Sequence, residues 1–315
     1  MMKKILIAEI SGKRPGTYKQ RPTELFETAY DKVIISNNSD GYTTTWPIVN
    51  VPGDYRQWYI DNHKNSENAW YAPMNRSYAI KYAREHGYDY LVQLDDNILQ
   101  LAIETYSEKD GVAGRRRILG IRLFEDFVTM FASVLDNTNA AMVGCQLNGM
   151  STPENKFLAE RYCYSIFMLN LSCCPNVFQG DFEDDIEYRL KCAQLGRPVL
   201  QLPWMRYGKI GQEKNKDLTG CRAEYAKKGI LRGEHMCKLY GDVYSAKMTN
   251  LAHHVHAKRE SENIYFKHTL KPFKVGAIIH DKKAMEDCMR AILKKYPAEV
   301  KTSCVVKVKK KKVKK

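Results

Sequence analysis

No run of ~18 apolar residues occurs in the 315-residue chain, which excludes a membrane-spanning helix. No CxxC pair occurs, and the nine cysteines, an odd number, are scattered from Cys145 to Cys304. That pattern excludes a disulfide framework and a ribbon-type zinc site, and it points to reduced thiols in a cytoplasmic compartment. The GxxxxGK[ST] order of a phosphate-binding P-loop is missing. No internal repeat is present, and no linker cuts the chain into independent domains. The opening MMKKILIAEI imitates a secretion signal for a few residues, but its apolar stretch is short and Glu9, Lys13 and Arg14 interrupt it. Segment 301–315 contains no acid.

Hydrophobic residues make up 44% of the chain, enough to bury a large core, so general disorder is excluded. Lys plus Arg is 50 against 36 Asp plus Glu, a formal charge of +14. Eight of those lysines lie in 301–315, which leaves +6 for the remainder.

The first half alternates two periodicities. Segment 4–8 (KILIA) is a strand, 23–30 a helical stretch, 32–36 (KVIIS) a second strand, and 46–51 a third. Segment 68–86 is an amphipathic helix with Ala79, Tyr82 and Ala83 on one face and Gly87 as its C-terminal stop. Segment 88–94 (YDYLVQL) is a strand that runs straight into Asp95-Asp96-Asn97. Such alternation implies parallel strands with helices on both faces. Further on, helices are predicted over 118–136, 181–195, 221–239 and 281–295, and strands over 140–145, 162–171 and 199–202. Residues 207–220 read as a loop.

Two acidic segments carry the chemistry. Asp95, Asp96 and Asn97 close an apolar strand, and in open α/β sheets ligands gather outside such carboxyl ends. Adjacent carboxylates repel, so they imply a compensating cation or N–H donors. Hard oxygen ligands suit Mg2+ or Mn2+, which in turn neutralise a diphosphate. The alternative is an ordinary acidic turn. Glu183, Asp184 and Asp185, with Glu187, open the 181–195 helix. The helix dipole accounts for one or two acids there, at about 0.3–1 kcal/mol each. Three in a row exceeds what capping needs, and a general base is such a carboxylate.

The stretch APMNRSYAIKYAREHGYDYLVQLDDN resembles the helix–strand–DxD segment of nucleotide-sugar glycosyltransferases of the GT-A fold. DDIEYRL, ending in Leu195-Gly196, is similar to their second acidic motif. ISNNSDGY resembles the loop after their second strand, and TYKQRPTEL the loop after their first. The four segments cover about 1–200 in the family's order. More narrowly, the chain resembles the TET-associated glycosyltransferases of phages, which glycosylate hydroxymethylated pyrimidines in DNA.

The resemblance implies an α/β fold: a GT-A-like, Rossmann-like mixed sheet flanked by helices. It implies a catalytic core over 1–205, a lid loop and helical acceptor-side extension over 206–300, and a disordered Lys-rich tail over 301–315. If phage-encoded, the enzyme would work in the host cytoplasm. Thr17, Arg21, Asn37, Asp40 and Arg76, with Asp95 and Asp96, would line the nucleotide-sugar pocket. Asp185 would be the catalytic base, with Asp184 next and Glu183 beside them. If the reaction retains anomeric configuration, that cluster orients the acceptor or sugar instead. A divalent cation would sit on Asp96, on Asn97, which stands where a carboxylate is commoner, and on a histidine, His256. His253, His254 and His268 lie near His256 in sequence; each also fits a solvated histidine.

Basic and aromatic residues complete the set. Arg115, Arg116 and Arg117 form one basic patch and KVKKKKVKK at 307–315 another, both suited to phosphate backbones. Lys209, Lys214 and Lys216 lie in GKIGQEKNKDLTG, which reads as a lid over a diphosphate or as a surface loop; Lys209 and Lys214 are also candidate DNA contacts. Trp58, Trp70 and Tyr71 could stack on a base or belong to the core. The leading expectation is a UDP-sugar-dependent glycosyltransferase acting on hydroxymethylcytosine or hydroxymethyluracil in double-stranded DNA. A glycosyltransferase acting on a surface polysaccharide, lipid carrier or protein is the alternative. A nucleic-acid-binding protein whose acids only cap helices is a third.

Overall fold

A computed structural model describes residues 3–12, 26–63, 71–109, 112–148, 157–179, 184–209, 237–238, 240–241, 244–248, 266–270, 275–296 and 305–306. The strands are β1 (Ile5–Ser11), β2 (Asp31–Ser36), β3 (Ile48–Asn50), β4 (Tyr90–Asp95), β5 (Ile98–Lys109), β6 (Val112–Leu119), β7 (Met142–Leu147), β8 (Ala159–Glu160), β9 (Ile166–Asn170), β10 (Val199–Lys209), β11 (Tyr244–Met248), β12 (Phe266–Leu270) and β13 (Val305–Val306). The helices are α1 (Gly53–His63), α2 (Tyr71–Glu85), α3 (Phe124–Asp136), α4 (Asp184–Gln194) and α5 (Lys282–Lys294).

One sheet runs in the order β13-β6-β5-β10-β7-β9-β4-β1-β2-β3, with β8 on β10; β11 and β12 form a separate antiparallel pair. Strands β4, β1, β2 and β3 are mutually parallel. β9 is antiparallel to both β4 and β7, and β10 is parallel to β7, so β10 runs the same way as β4. The fold is therefore α/β with a mixed sheet, where the alternation of the first half had implied parallel strands.

Side-chain alternation splits the core in two. Ile5 and Ile7 of β1, with Tyr90, Val92 and Leu94 of β4, face the side covered by α3 and α5. Leu6, Ala8 and Ile10, with Leu91, face the side covered by α2 and α4. Gln93 and Asp95 share the parity of Leu91, so β4 turns both toward α2. In α2, residues 73–80 are all buried, polar Asn75, Arg76 and Ser77 included.

Several sequence expectations need correction. Residues 26–30 are not helical: Phe26 stacks on Phe124 at 4.7 Å and the Ala29 N–H donates to Glu125 at 2.9 Å, so α3 holds this segment in place. The helix expected from 118 begins only after β6 ends at Leu119: a 3-10 turn over Ile121–Leu123 leads into α3 at Phe124. The strand expected to stop at 202 runs on to Lys209; Pro203, which has no N–H, sits inside a register shift between Leu202 and Arg206. The 206–300 region, expected to be helical beyond its loop, also holds β11 and β12. Within the tail expected to be disordered, Val305 and Val306 pair with Gly114 and Ala113 of β6.

Candidate functional site

The carboxyl ends of β1, β2, β4 and β10 lie on one edge of the sheet, and the N-terminal turns of α2 and α4 meet there. Arg76 is the centre of that meeting. Buried at 7% exposure, it donates to Asp95 Oδ1 at 2.6 Å and to Gln93 Oε1 at 3.3 Å, and its Nε lies 3.2 Å from Asp184 Oδ2. Its guanidinium lies 5.3 Å from the Phe167 ring and 5.8 Å from that of Phe178, which fixes it laterally. Gln93 Nε2 donates back to the Arg76 carbonyl at 3.0 Å. The two acidic segments singled out from sequence are thus joined through one guanidinium.

Asp96 is buried and accepts from Ser11 Oγ at 2.8 Å. A serine hydroxyl has one proton, so Tyr42 OH, 2.9 Å from Ser11 Oγ, donates to it. Asn97 Oδ1 is buried with no hydrogen-bond partner among the described residues. Asn75 Nδ2 donates to the Ser11 carbonyl at 2.9 Å and to Asn37 Oδ1 at 3.2 Å, and Arg56 donates to the Asn37 carbonyl at 2.8 Å. Gly12 permits this approach: a Cβ there would lie 2.1 Å from Asn37 Oδ1.

Asp185 opens α4, and its Oδ1 accepts the Ile186 N–H at 2.9 Å. Burial, then the neighbouring Asp184 charge, raises its carboxyl to about 7. Asp184 is raised as well, chiefly by burial, with Arg76 opposing. Glu187, one turn on and buried, accepts from the Tyr240 hydroxyl, and Ile186 packs against Tyr162, Cys237 and Tyr240. Among the described residues, two cations form ion pairs with these acids: Arg76 with Asp95 and Asp184, and Lys209 with Asp95.

Lys209 lies within this cluster, 3.6 Å from Asp95 Oδ2 and 2.8 Å from Ser165 Oγ. Ser165 was missed from sequence. Its φ of 59° is the one positive value among the described non-glycine residues, and its carbonyl accepts the Asp95 N–H at 2.8 Å.

Of the other candidates, Asp40 is exposed and hydrogen-bonds within its own loop, to Asn38. Trp58 is 42% exposed on α1, where it contacts Tyr55 in a groove of about 530 Å³ shared with Tyr78, Lys81 and Glu85. Arg115, Arg116 and Arg117 fall on β6, opposite Tyr106, Thr105 and Glu104. His268 falls on β12 and Tyr71 on α2. Thr17, Arg21, Trp70, Glu183, Lys214, Lys216, His253, His254 and His256 lie outside the described residues. Among the described residues no three His, Cys, Asp or Glu side chains gather as a metal cluster, and no helix is long and apolar enough to cross a membrane.

No family model matches the chain, and no curated protein matches it. Among solved structures it is similar to a protein from Desulfovibrio desulfuricans G20 described as a nucleotide-diphospho-sugar transferase (11% identity, 66% of this chain and 83% of that one, TM-score 0.34). It is also similar to A197 from STIV (11% identity, 67% and 87%, TM-score 0.34). A third is glucosyl-3-phosphoglycerate synthase from Mycobacterium tuberculosis, solved with Mn2+, UDP and phosphoglyceric acid (8% identity, 88% and 90%, TM-score 0.44). At these values the likeness is slight, and nothing about this chain's chemistry follows from it.

Proposed function

We propose that the protein is a nucleotide-sugar-dependent glycosyltransferase that moves a sugar from a nucleoside diphosphate, UDP for preference, to the hydroxymethyl oxygen of a modified pyrimidine in DNA. The observation that carries this reading is the junction at Arg76, 2.6 Å from Asp95 and 3.2 Å from Asp184. A donor-side acid pair and an acceptor-side acid pair at one sheet edge are what transfer between two substrates requires. In the transfer step the bond from the sugar's anomeric carbon to the diphosphate oxygen breaks and its electrons leave with the diphosphate. The acceptor oxygen bonds to that carbon and its proton passes to Asp185. A carboxyl poised near 7 is matched to that task.

The residues present fit a divalent cation. Four carboxyl groups gather at this edge, and Asn97 offers a buried amide oxygen with no partner among the described residues. Asp95, Asp96 and Asn97 would hold it, and when bound it would neutralise the departing diphosphate. Ser11, Asn37 and Asn75 would fix the loops that face the nucleotide.

The DNA acceptor is supported by the +14 charge, by the family resemblance and by two basic segments, one of them on β6. The hydroxymethyl group of such a base projects into the major groove, so the base need not leave the stack. The test is a thermal-shift screen with UDP sugars followed by transfer to hydroxymethylated DNA. A binding-induced shift and sugar incorporation are expected; salt-sensitive DNA binding with no response to any nucleotide sugar would refute the enzymatic reading.

A further inference from the structure

Lys209, read from sequence as part of a lid over a diphosphate, as a surface-loop residue or as a DNA contact, is the last residue of β10; residues 210–220 lie outside the described residues. β10 carries it past the Pro203 irregularity to the end of the sheet, beside Asp95. Its ammonium has three N–H donors. One goes to Ser165 Oγ at 2.8 Å. Asp95 Oδ2, at 3.6 Å, is an ion-pair partner beyond hydrogen-bond length, so among the described residues two donors have no hydrogen-bond partner. The side chain is 28% exposed, open on one side at the edge where the acidic segments meet.

Ser165 holds this ammonium at a conformational cost. A serine at φ 59° is strained, a cost that persists only where surrounding contacts enforce it. Its contacts include the Asp95 N–H on its carbonyl and Lys209 on its hydroxyl. The strained residue therefore ties the ends of β4 and β10 together through Asp95 and Lys209.

We infer that Lys209, positioned by Ser165, is a donor-binding residue that grips the phosphates of the nucleoside diphosphate. This rests on the glycosyltransferase reading above. It predicts a selective defect: the phosphates lose a ligand while the nucleoside keeps all of its own.

The test uses the full-length protein and calorimetric titration with uridine, guanosine and adenosine diphosphates, each beside its own nucleoside. For the diphosphate that the wild type binds, Lys209→Gln is expected to weaken affinity by ~10-fold or more, the scale of a charge-assisted hydrogen bond, and to leave nucleoside affinity within about twofold. Lys209→Arg should restore part of the loss, and Ser165→Ala should weaken diphosphate binding by a smaller factor. Equal weakening of diphosphate and nucleoside with a lowered melting temperature would make Lys209 a structural counter-ion and overturn the inference. Undiminished diphosphate binding by Lys209→Gln would overturn it too. A wild type that binds none of the three diphosphates overturns the glycosyltransferase reading itself, a result distinct from either.

Discussion

Asp185 combines two properties that one substitution separates. Its carboxyl, raised to about 7, stays protonated in the folded protein where the unfolded chain has already released that proton, from about pH 4 upward. The stability this contributes is present below about pH 4 and is lost as pH rises through about 7. Asp185→Asn removes the penalty, so at pH 8 without divalent cation the variant should melt a few degrees above wild type, and at pH 4 the two should coincide. The same variant should lose ~100-fold or more of transfer rate, and the wild-type rate should climb with pH through about 7. Asp95→Ala and Asp96→Ala should likewise abolish transfer while circular dichroism stays native; full activity in either would remove these residues from the site. Asp95, Asp96, Asp184 and Asp185 stood out in the sequence because runs of carboxylates exceed what a turn or a helix cap needs. Ser165 did not, since a positive φ leaves no mark in composition. Arg76 was assigned to the nucleotide pocket; that it joins the two acid pairs depends on the pairing of β4 with its neighbours, which no local pattern carries.

At the scale of elements, the site depends on loops brought closer than most side chains allow. Gly12→Ala would drive a Cβ to 2.1 Å from Asn37 Oδ1, breaking the Asn75 link between β1 and β2; a loss of about 1–3 kcal/mol in urea unfolding is expected, with weakened nucleotide binding. On the opposite face, Asp126 accepts from Lys295 at 2.6 Å and from the Tyr296 hydroxyl just beyond α5. Asp126→Ala should speed amide hydrogen exchange in α5 while α2 stays protected. The strands β1, β2, β4 and β7 and the helices α2 and α4 were readable from period and capping, with Gly87 and Gly196 at φ 71° and 68° ending both helices. The β5–β6 hairpin was missed because ETYSEK and GRRR carry no apolar alternation, although Asp110-Gly111, between the paired Lys109 and Val112, is a local hairpin signal; β10 pairs only with residues 98–103 of β5. The predicted strand stopped at 202, just before Pro203; β10 runs on through a register shift that accommodates the proline.

Across the whole molecule, the sheet separates an acidic edge, where Asp95, Asp96, Asp184 and Asp185 gather, from β6, which carries Arg115, Arg116 and Arg117 and pairs with Val305–Val306. Removing 307–315, with its seven lysines, should lower the slope of log affinity against log salt by several units at about 0.9 per phosphate, while UDP-sugar binding stays unchanged. The central claim is that the acids joined by Arg76 form one transfer site. The most direct measurement is mass spectrometry of hydroxymethylated DNA after incubation with a panel of UDP sugars and Mg2+ or Mn2+. One sugar mass should appear on the modified base with the wild type and none with Asp95→Ala or Asp185→Asn. Equal incorporation by both variants, or a wild type that leaves every sugar on its nucleotide, would contradict it.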